Sequence, residues 1–341
     1  MLRPDIDPRP GAGMIKGEFY RPGDIDAGLW LDREVQLNRQ WPEQLKKMWQ
    51  GRIMWSSPMA RWCTLQVGGP AKAVALPAGE AELAALLAIL NDLAVPWRVI
   101  GRGSNILVSD KGYDGVIIVL GREFGAIDIL ASEVAGYELV RVEAGCGLMR
   151  LVNWTVEHGL SGLEFAAGIP GSVGGAVAMN AGAWGAEIAD PLSAVTFATP
   201  AGKLVRRERA ELIFAYRHLE KGNKVVVAAE FLLEKADGQK VDKVCRQLME
   251  NRKNKQPGKV ASAGSFFKNP VGMPPAGKLI DEAGLKGLRV GGAQVSEVHA
   301  NFLVNCGNAT AQDFLDLMGL VQAKVNERFR VWLEPEVCIL T

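Results

Sequence analysis

The sequence predicts an α+β chain assembled from successive α/β blocks, and three observations carry that prediction. Short apolar strands alternate with amphipathic helices from Thr64 onward. Two glycine-rich stretches, 101–105 and 168–185, lie between such elements. A long amphipathic helix near the C-terminus is followed by a last apolar stretch, VWLEPEVCIL.

A chain of 341 residues suits two or three domains. Apolar residues make up 48% and charged residues 23%, a globular balance. Thirty-nine Lys and Arg against 38 Asp and Glu give no global attraction to nucleic acid or anionic membrane. Any anionic ligand must therefore be held locally. The most apolar run, 81–95, is interrupted by Glu82, Asn91 and Asp92, so membrane insertion is not expected. The opening MLRPDIDPRP has acids and prolines where a signal peptide needs an apolar run. Five cysteines (63, 146, 245, 306, 338) and three histidines (158, 218, 299) are scattered without metal-ligand spacing. Reduced thiols in a cytoplasmic protein, with no metal site, are expected.

Prolines and glycines break up the first segment, so residues 1–44 read as an extension. Trp41, Trp49, Trp55 and Trp62 are unevenly spaced, and Pro42, Gly51 and Pro58 forbid one helix across them. Packing anchors explain them better than a stacking surface. Residues 45–120 form the first block. Residues 64–76 read as strand with a turn at Gly68–Pro70. Leu83, Leu86, Leu87 and Leu90 mark one face of a helix over 80–93. Strands follow at 97–100, 106–109 and 115–120.

The second block spans 121–234. A strand at 139–143 leads to a helix carrying Leu148, Leu151, Val152 and Val156, which Gly159 ends. After the long glycine segment, 193–197, 203–206 and 224–233 read as antiparallel strands. The third block, 235–341, opens with a helix over 241–252. It closes with a helix over 311–329, capped by Thr310 and Asp313, with Phe314, Leu317, Val321 and Val325 as its buried stripe. The final stretch reads as a strand. Alternation sets Glu336 opposite Val337 and Ile339.

GRGSN at 101–105 can bring backbone amides close to an anion, although a plain turn explains it equally well. GIPGSVGGAVAMNAGAWG at 168–185 is less ordinary. Gly168, Gly171, Gly174 and Gly175 leave bare backbone, and no charged side chain intrudes before Glu187. Two such segments in one chain favour a shared elongated phosphate-bearing ligand. Neither reads GxGxxG into a helix with a following acid, and GxxxxGK[ST] is absent, so Rossmann and P-loop sites are disfavoured.

These residues resemble a known family. TLQVGGPA (64–71), GRGSNILV (101–108) and GLEFAAGIPGSVGGAVAMNAGAWG (162–185) are similar to the FAD-binding half of UDP-N-acetylenolpyruvoylglucosamine reductases. AYR (215–217), SAGSFFKNP (262–270), AGLKG (283–287), HANFLVN (299–305) and LEPEV (333–337) follow in the family's order. The resemblance covers 45–341. It implies two α/β FAD-binding subdomains of vanillyl-alcohol-oxidase (PCMH-like) type, at 45–120 and 121–234, and an α/β substrate domain at 235–341. It also implies NADPH as reductant and a UDP-sugar as substrate.

Site residues follow from the same resemblance. FAD contacts fall on Gly101, Gly103, Ser104, Asn105, Ile106 and Leu107. A second set falls on Gly168, Ile169, Gly171, Ser172, Gly174 and Gly175. Arg217, Ser265 and Glu336 match the catalytic positions. Arg252, Lys255, Asn269 and Lys286 match substrate contacts. A carboxylate beside developing negative charge is useful only when it holds or shares a proton, so Glu336 should have a raised pKa. Lys268 could help Ser265 give up its proton.

Two departures stand out. Leu219 occupies the place of the family's serine in Tyr-Arg-x-Ser, and Cys338 the place of an arginine two residues after the glutamate. The short connection between Phe231 and the next helix implies the shorter subclass, without a tyrosine-bearing loop. Another FAD oxidoreductase acting on a hydroxy acid or alcohol, and a degenerate nucleotide-binding regulator, remain alternatives.

Overall fold

The structure is a computed structural model that describes residues 40–258 and 260–341. It is α+β. Helix α1 (Trp41–Met48) precedes a four-stranded sheet whose members, in chain order, are β1 (Arg52–Pro58), β2 (Pro70–Leu76), β3 (Trp97–Ile100) and, beyond the short β4 (Ile106–Val108), β5 (Tyr113–Val119). Their spatial order is β1-β2-β5-β3, with β2 and β3 both parallel to β5. Helix α2 (Glu80–Asp92) crosses between β2 and β3 and buries the predicted leucine face.

The second sheet is antiparallel. It contains β6 (Ile127–Leu130), β7 (Tyr137–Glu143), β8 (Leu160–Ser161) and, after the hairpin β9 (Gly182–Ala183)–β10 (Ala186–Glu187), β11 (Leu192–Ala198) and β12 (Leu204–Glu208). Past a second small hairpin, β13 (Phe214–Ala215)–β14 (His218–Leu219), comes its long central strand, β15 (Val225–Lys235). Helices α3 (Leu148–Glu157) and α4 (Val173–Ala178) accompany it, and α5 (Gly238–Lys255) follows β15. Helix α5 packs on α3 and on the one-turn helix Glu164–Ala166, so the start of the third block leans on the second.

The third sheet holds β16 (Ala261–Ser265), β17 (Arg289–Val290), β18 (Ala293–Val295) and β19 (Phe302–Asn305), with α6 (Ala276–Glu282) and α7 (Ala311–Phe329). The last strand, β20 (Cys338–Leu340), does not join it. It pairs in parallel with β4.

Strand alternation divides the interior in two. Ala73, Ala75, Val116 and Ile118 point into a core shared with α2 and the second sheet. Val74, Ile117 and Val119 point the other way, into a core shared with α6 and α7. The first sheet is thus buried on both faces, as parallel strands require. Asp110, from the first block, accepts from the N–H groups of Ala311 (2.8 Å) and Gln312 (2.9 Å) and caps α7 beside the predicted Thr310–Asp313 box.

Four expectations are corrected. The stretch 64–69 is not strand: Gln66 has a left-handed backbone, and Thr64 N–H donates to Gly103 O. VWLEPEVCIL is strand only from Cys338, because Glu334 and Glu336 bond across to the 266–268 segment instead. The long glycine segment is not all loop, since α4 forms within it, and α1 begins inside the stretch read as extension. Trp41 and Trp49 are buried, as packing anchors should be.

Candidate active site

The two glycine segments lie against each other. Ser104 Oγ donates to Pro170 O at 3.2 Å. An added Cβ at Gly101 would collide with Ser172 Oγ, and one at Gly171 would meet only Ser104 Oγ, at 3.3 Å. Among the described residues, the N–H groups of Arg102, Gly103 and Ser104, and of Gly171 and Ser172, donate to nothing in the protein. Two short runs of open amides side by side suit a diphosphate. Gly103 is required where it stands: its φ is +64°, and a Cβ would strike the Trp62 carbonyl.

The rest of the long segment behaves differently. Ser172 caps α4 by accepting from Gly175 N–H at 3.3 Å. Val173 N–H donates to Cys146 O and Gly174 N–H to Ala144 O, both at 2.8 Å. A Cβ on Gly174 would lie 2.6 Å from Ala144 Cβ, so this glycine serves helix–strand packing. Leu107 is wholly buried in the core, and Ile106 and Leu107 are bound to β20. Ile169 is half-buried against the core, and its N–H is engaged by Ala166 O.

Asn105 ties the first glycine segment to Glu336. Its Nδ2 donates to Glu336 O at 3.0 Å, while its own carbonyl accepts from Cys338 N–H at 3.1 Å. From the other side, Glu336 N–H donates to Phe266 O at 2.8 Å, one residue past Ser265. Glu336 is therefore pinned where the first and third blocks meet.

Arg217 reaches the same place from the turn of the β13–β14 hairpin. Its Nε lies 3.2 Å from Glu336 Oε1, and its Nη1 donates to Gly182 O at 3.0 Å. The Nε–Glu336 approach is an ion-pair distance without hydrogen-bond alignment, and buried Arg217 Nε has no hydrogen-bond partner in the protein. Arg252 Nε, at the end of α5, is also buried and unpartnered. Its side chain lies against Gly168, where a Cβ would come within 2.9 Å of Cδ. Burial, and then the nearby Arg217 charge, lowers the pKa of Arg252. Lys255 Nζ stands 5.6 Å from the centroid of the exposed Trp184 ring. Burial pushes the Glu336 carboxyl above its ordinary range, against the opposing pull of Arg217 and then Lys268.

Ser265 lies in a pocket of about 360 Å³ whose lining includes Asn269, Lys286 and His299. Asn269 Oδ1 accepts from Ala276 N–H at 3.0 Å, and Lys286 Nζ pairs with Asp281 at 2.7 Å. Lys268 pairs with Glu334 at 3.4 Å.

Arg217, Glu336 and Arg252 are thus gathered at one place, and Ser265 with Asn269 and Lys286 in the adjoining pocket. Leu219 is a buried core residue beside Phe214, so its change from serine removes no group from an open site. Cys338 follows directly on Val337 at the start of β20 and is exposed. His299 and Asn301, both in the HANFLVN motif, also line the Ser265 pocket. Nothing in the spacing separates them from strand residues.

The amide cradle beside the arginine–carboxylate site suits a protein that binds a diphosphate-bearing cofactor, and the family models identify it as a flavoprotein. A model described as FAD binding domain matches residues 71–207. A second, described as UDP-N-acetylenolpyruvoylglucosamine reductase, C-terminal domain, matches residues 256–340. The chain is 43% identical over 291 residues to the UDP-N-acetylenolpyruvoylglucosamine reductase of Geotalea uraniireducens, covering 85% of this chain and 94% of the relative. It is 42% identical over 310 residues to that of Desulfosudis oleivorans, covering 89% and 98%. The crystal structure of the Thermus caldophilus reductase, 36% identical, overlays with a TM-score of 0.70 across 86% of this chain and 99% of that one. The chain belongs to the UDP-N-acetylenolpyruvoylglucosamine reductase family. FAD is thereby the cofactor the resemblance implied, and an FAD-binding domain its place in the chain.

Proposed function

We infer that this chain uses NADPH to reduce the enolpyruvyl group of UDP-N-acetylglucosamine enolpyruvate, yielding UDP-N-acetylmuramate for peptidoglycan precursor synthesis. One observation carries the reading: two arginines whose buried Nε atoms have no hydrogen-bond partner among the described residues, one beside a carboxyl raised in pKa by burial, next to a cradle of open amides.

FAD, when bound, supplies the hydride that reaches the terminal carbon of the enolpyruvyl group. The open amides of Arg102–Ser104 and Gly171–Ser172 would hold its diphosphate. Gly168, Gly175 and the backbone at 105–107 and 169 complete that wall.

Hydride addition leaves negative charge on the adjacent carbon and its carboxylate. Stabilising that charge is the demanding part of the reaction. Arg217 offers a planar fork suited to a carboxylate-like enolate. Glu336, whose carboxyl is raised in pKa by burial, is placed to share a proton with the enolate oxygen. Ser265 delivers a proton to the carbanionic carbon, and Lys268 lowers the cost of the alkoxide left behind. Arg252 and Lys255 meet the substrate's phosphates, and Asn269 and Lys286 the remainder of the sugar nucleotide. Residues 45–120 and 121–234 form the cofactor region, and 235–341 the substrate region. With five cysteines scattered along the chain and nucleotide substrates, the protein belongs in the cytoplasm. The short Phe231-to-α5 connection supports the shorter subclass.

Stopped-flow turnover is the test. NADPH should be consumed faster when the enolpyruvyl sugar nucleotide is present; oxidation by oxygen alone would defeat the reading. Ser265→Ala should leave flavin reduction by NADPH intact and slow reoxidation by substrate by roughly 10²-fold or more. Equal loss in both half-reactions would remove Ser265 from its role.

A further inference from the structure

Asn180 stands in the middle of the long glycine segment, and neither the cofactor cradle nor the chemistry above uses it. It is only 1% exposed. A buried amide needs partners at both ends, and Asn180 has them. Oδ1 accepts from Ala189 N–H at 3.4 Å, and Nδ2 donates to Ala215 O at 3.2 Å. One partner is an N–H and the other a carbonyl, which fixes which way round the amide sits.

Its backbone has a local cause. Asn180 follows α4 with a left-handed φ of +41°. Its N–H donates to Val177 O (3.2 Å), and Ala181 N–H donates to Ala176 O (2.8 Å). That pair of bonds closes a helix, and glycine or asparagine is the usual residue there. Helix closure does not explain a side chain that reaches 35 residues along the chain to the β13–β14 hairpin.

The hairpin end that Asn180 grips carries Arg217. Strands β13 and β14 have two residues each, and only Tyr216 and Arg217 join them. Tyr216 is exposed, with the Arg217 guanidinium 5.3 Å from its ring centroid. Arg217 has a φ of +56°, in a turn position that favours glycine or asparagine. So short a turn does not hold a long side chain in place by itself. The glycine segment holds it twice. Asn180 fixes the carbonyl two residues before Arg217, and Gly182 O accepts from Arg217 Nη1 at 3.0 Å. Held so, Arg217 Nε stands 3.2 Å from Glu336 Oε1.

We propose that Asn180 is a positioning residue for the reduction: its buried amide clamps the hairpin end so that the Arg217 fork stays beside Glu336, where the enolate forms. The assignment rests on the function proposed above. It gives the second half of the long glycine segment a task in the chemistry, separate from holding FAD.

Asn180→Gly separates this task from helix closure. Glycine keeps the closure of α4 and deletes only the side chain. Asn180→Asp is the isosteric check: it keeps the acceptor for Ala189 N–H and loses the donor to Ala215 O. Both are compared with Arg217→Lys and with the Asn180→Gly/Arg217→Lys double variant, as flavin-loaded protein. Stopped-flow reoxidation of the reduced flavin by the enolpyruvyl sugar nucleotide gives a saturating rate and a half-saturating concentration. The flavin absorbance spectrum serves as the check on folding. Each Asn180 variant should lower the saturating rate roughly ten- to a hundredfold, as a misplaced catalytic group does. Half-saturation should shift less, and flavin reduction by NADPH should stay near wild type. In the Arg217→Lys background the further loss should be less than about threefold, because the two residues act through one group. Losses that multiply would make Asn180 independent of Arg217 and overturn the proposal. So would a wild-type rate in Asn180→Gly, which leaves only helix closure, or equal loss in both half-reactions. If neither Asn180 variant holds flavin, the residue serves folding and the proposal falls. If wild type itself is not reoxidised by the sugar nucleotide, the parent reading fails first.

Discussion

The two glycine-rich segments look alike in sequence and do different work. In 101–105 the backbone stays open, with free N–H groups at Arg102, Gly103 and Ser104, and Asn105 is bonded to Glu336. In 168–175 only Gly171 and Ser172 are comparably open, and the next amides are engaged by the turn that follows β7 and by the Ser172 cap. The shorter segment, the weaker of the two as a motif, therefore presents more open backbone and is tied directly to Glu336. A glycine supplies either a close approach to a ligand or a close approach to another strand, and composition alone does not distinguish them.

The comparison can be broken at Gly103 first. Gly103→Ala should cost about 2–5 kcal/mol, combining a left-handed backbone with overlap on the Trp62 carbonyl. Chemical denaturation should show it, together with loss of bound flavin. Gly174→Ala should cost less, about 1–3 kcal/mol, by overpacking against Ala144. Its folded fraction should still hold flavin, and loss of flavin without loss of stability would return Gly174 to the cofactor site.

Glu336 tests the link between the first segment and the chemistry. Its raised pKa means that the folded chain holds this proton more tightly than the unfolded chain does. Its contribution to stability is therefore greatest at low pH. It declines as pH rises from the ordinary carboxylate value to the raised one. Glu336→Gln should abolish that slope in apoprotein unfolding, and should remove the fall in substrate-dependent flavin reoxidation over the same window.

The smallest effect belongs to Gly175. It is exposed, sits inside α4, and its nearest neighbour to an added Cβ is Ser172 Oγ at 3.5 Å. Gly175→Ala should raise the melting temperature of the apoprotein, worth up to about 1 kcal/mol of helix propensity, and weaken flavin binding slightly. Unchanged flavin affinity would clear Gly175 of cofactor contact.

Much of the fold was legible because it rests on local periodicity. The leucines of α2, the Thr310–Asp313 box and the stripe of α7 were all readable from spacing. The misreadings share one cause. Residues 64–69 and 331–337 are apolar enough for strand, but their backbone partners come from Gly103 and the 266–268 segment, far away in sequence. Arg217, Ser265 and Glu336 were identifiable only through the family motifs. Taken singly, each also reads as a surface arginine, a turn serine and a strand acid.

The sequence by itself determined the order of blocks, the helices with their caps, the two glycine segments and the family, because these depend on residues close in the chain or on matched motifs. Tertiary structure alone decided which amides stay open, why the Glu336 carboxyl is raised in pKa, and how Arg217 comes to stand beside it. Each depends on burial and on partners brought from separate blocks, such as Asn105 and Phe266 on either side of Glu336. Desolvation and hydrogen-bond pairing are properties of that assembled neighbourhood, and no window of sequence contains them.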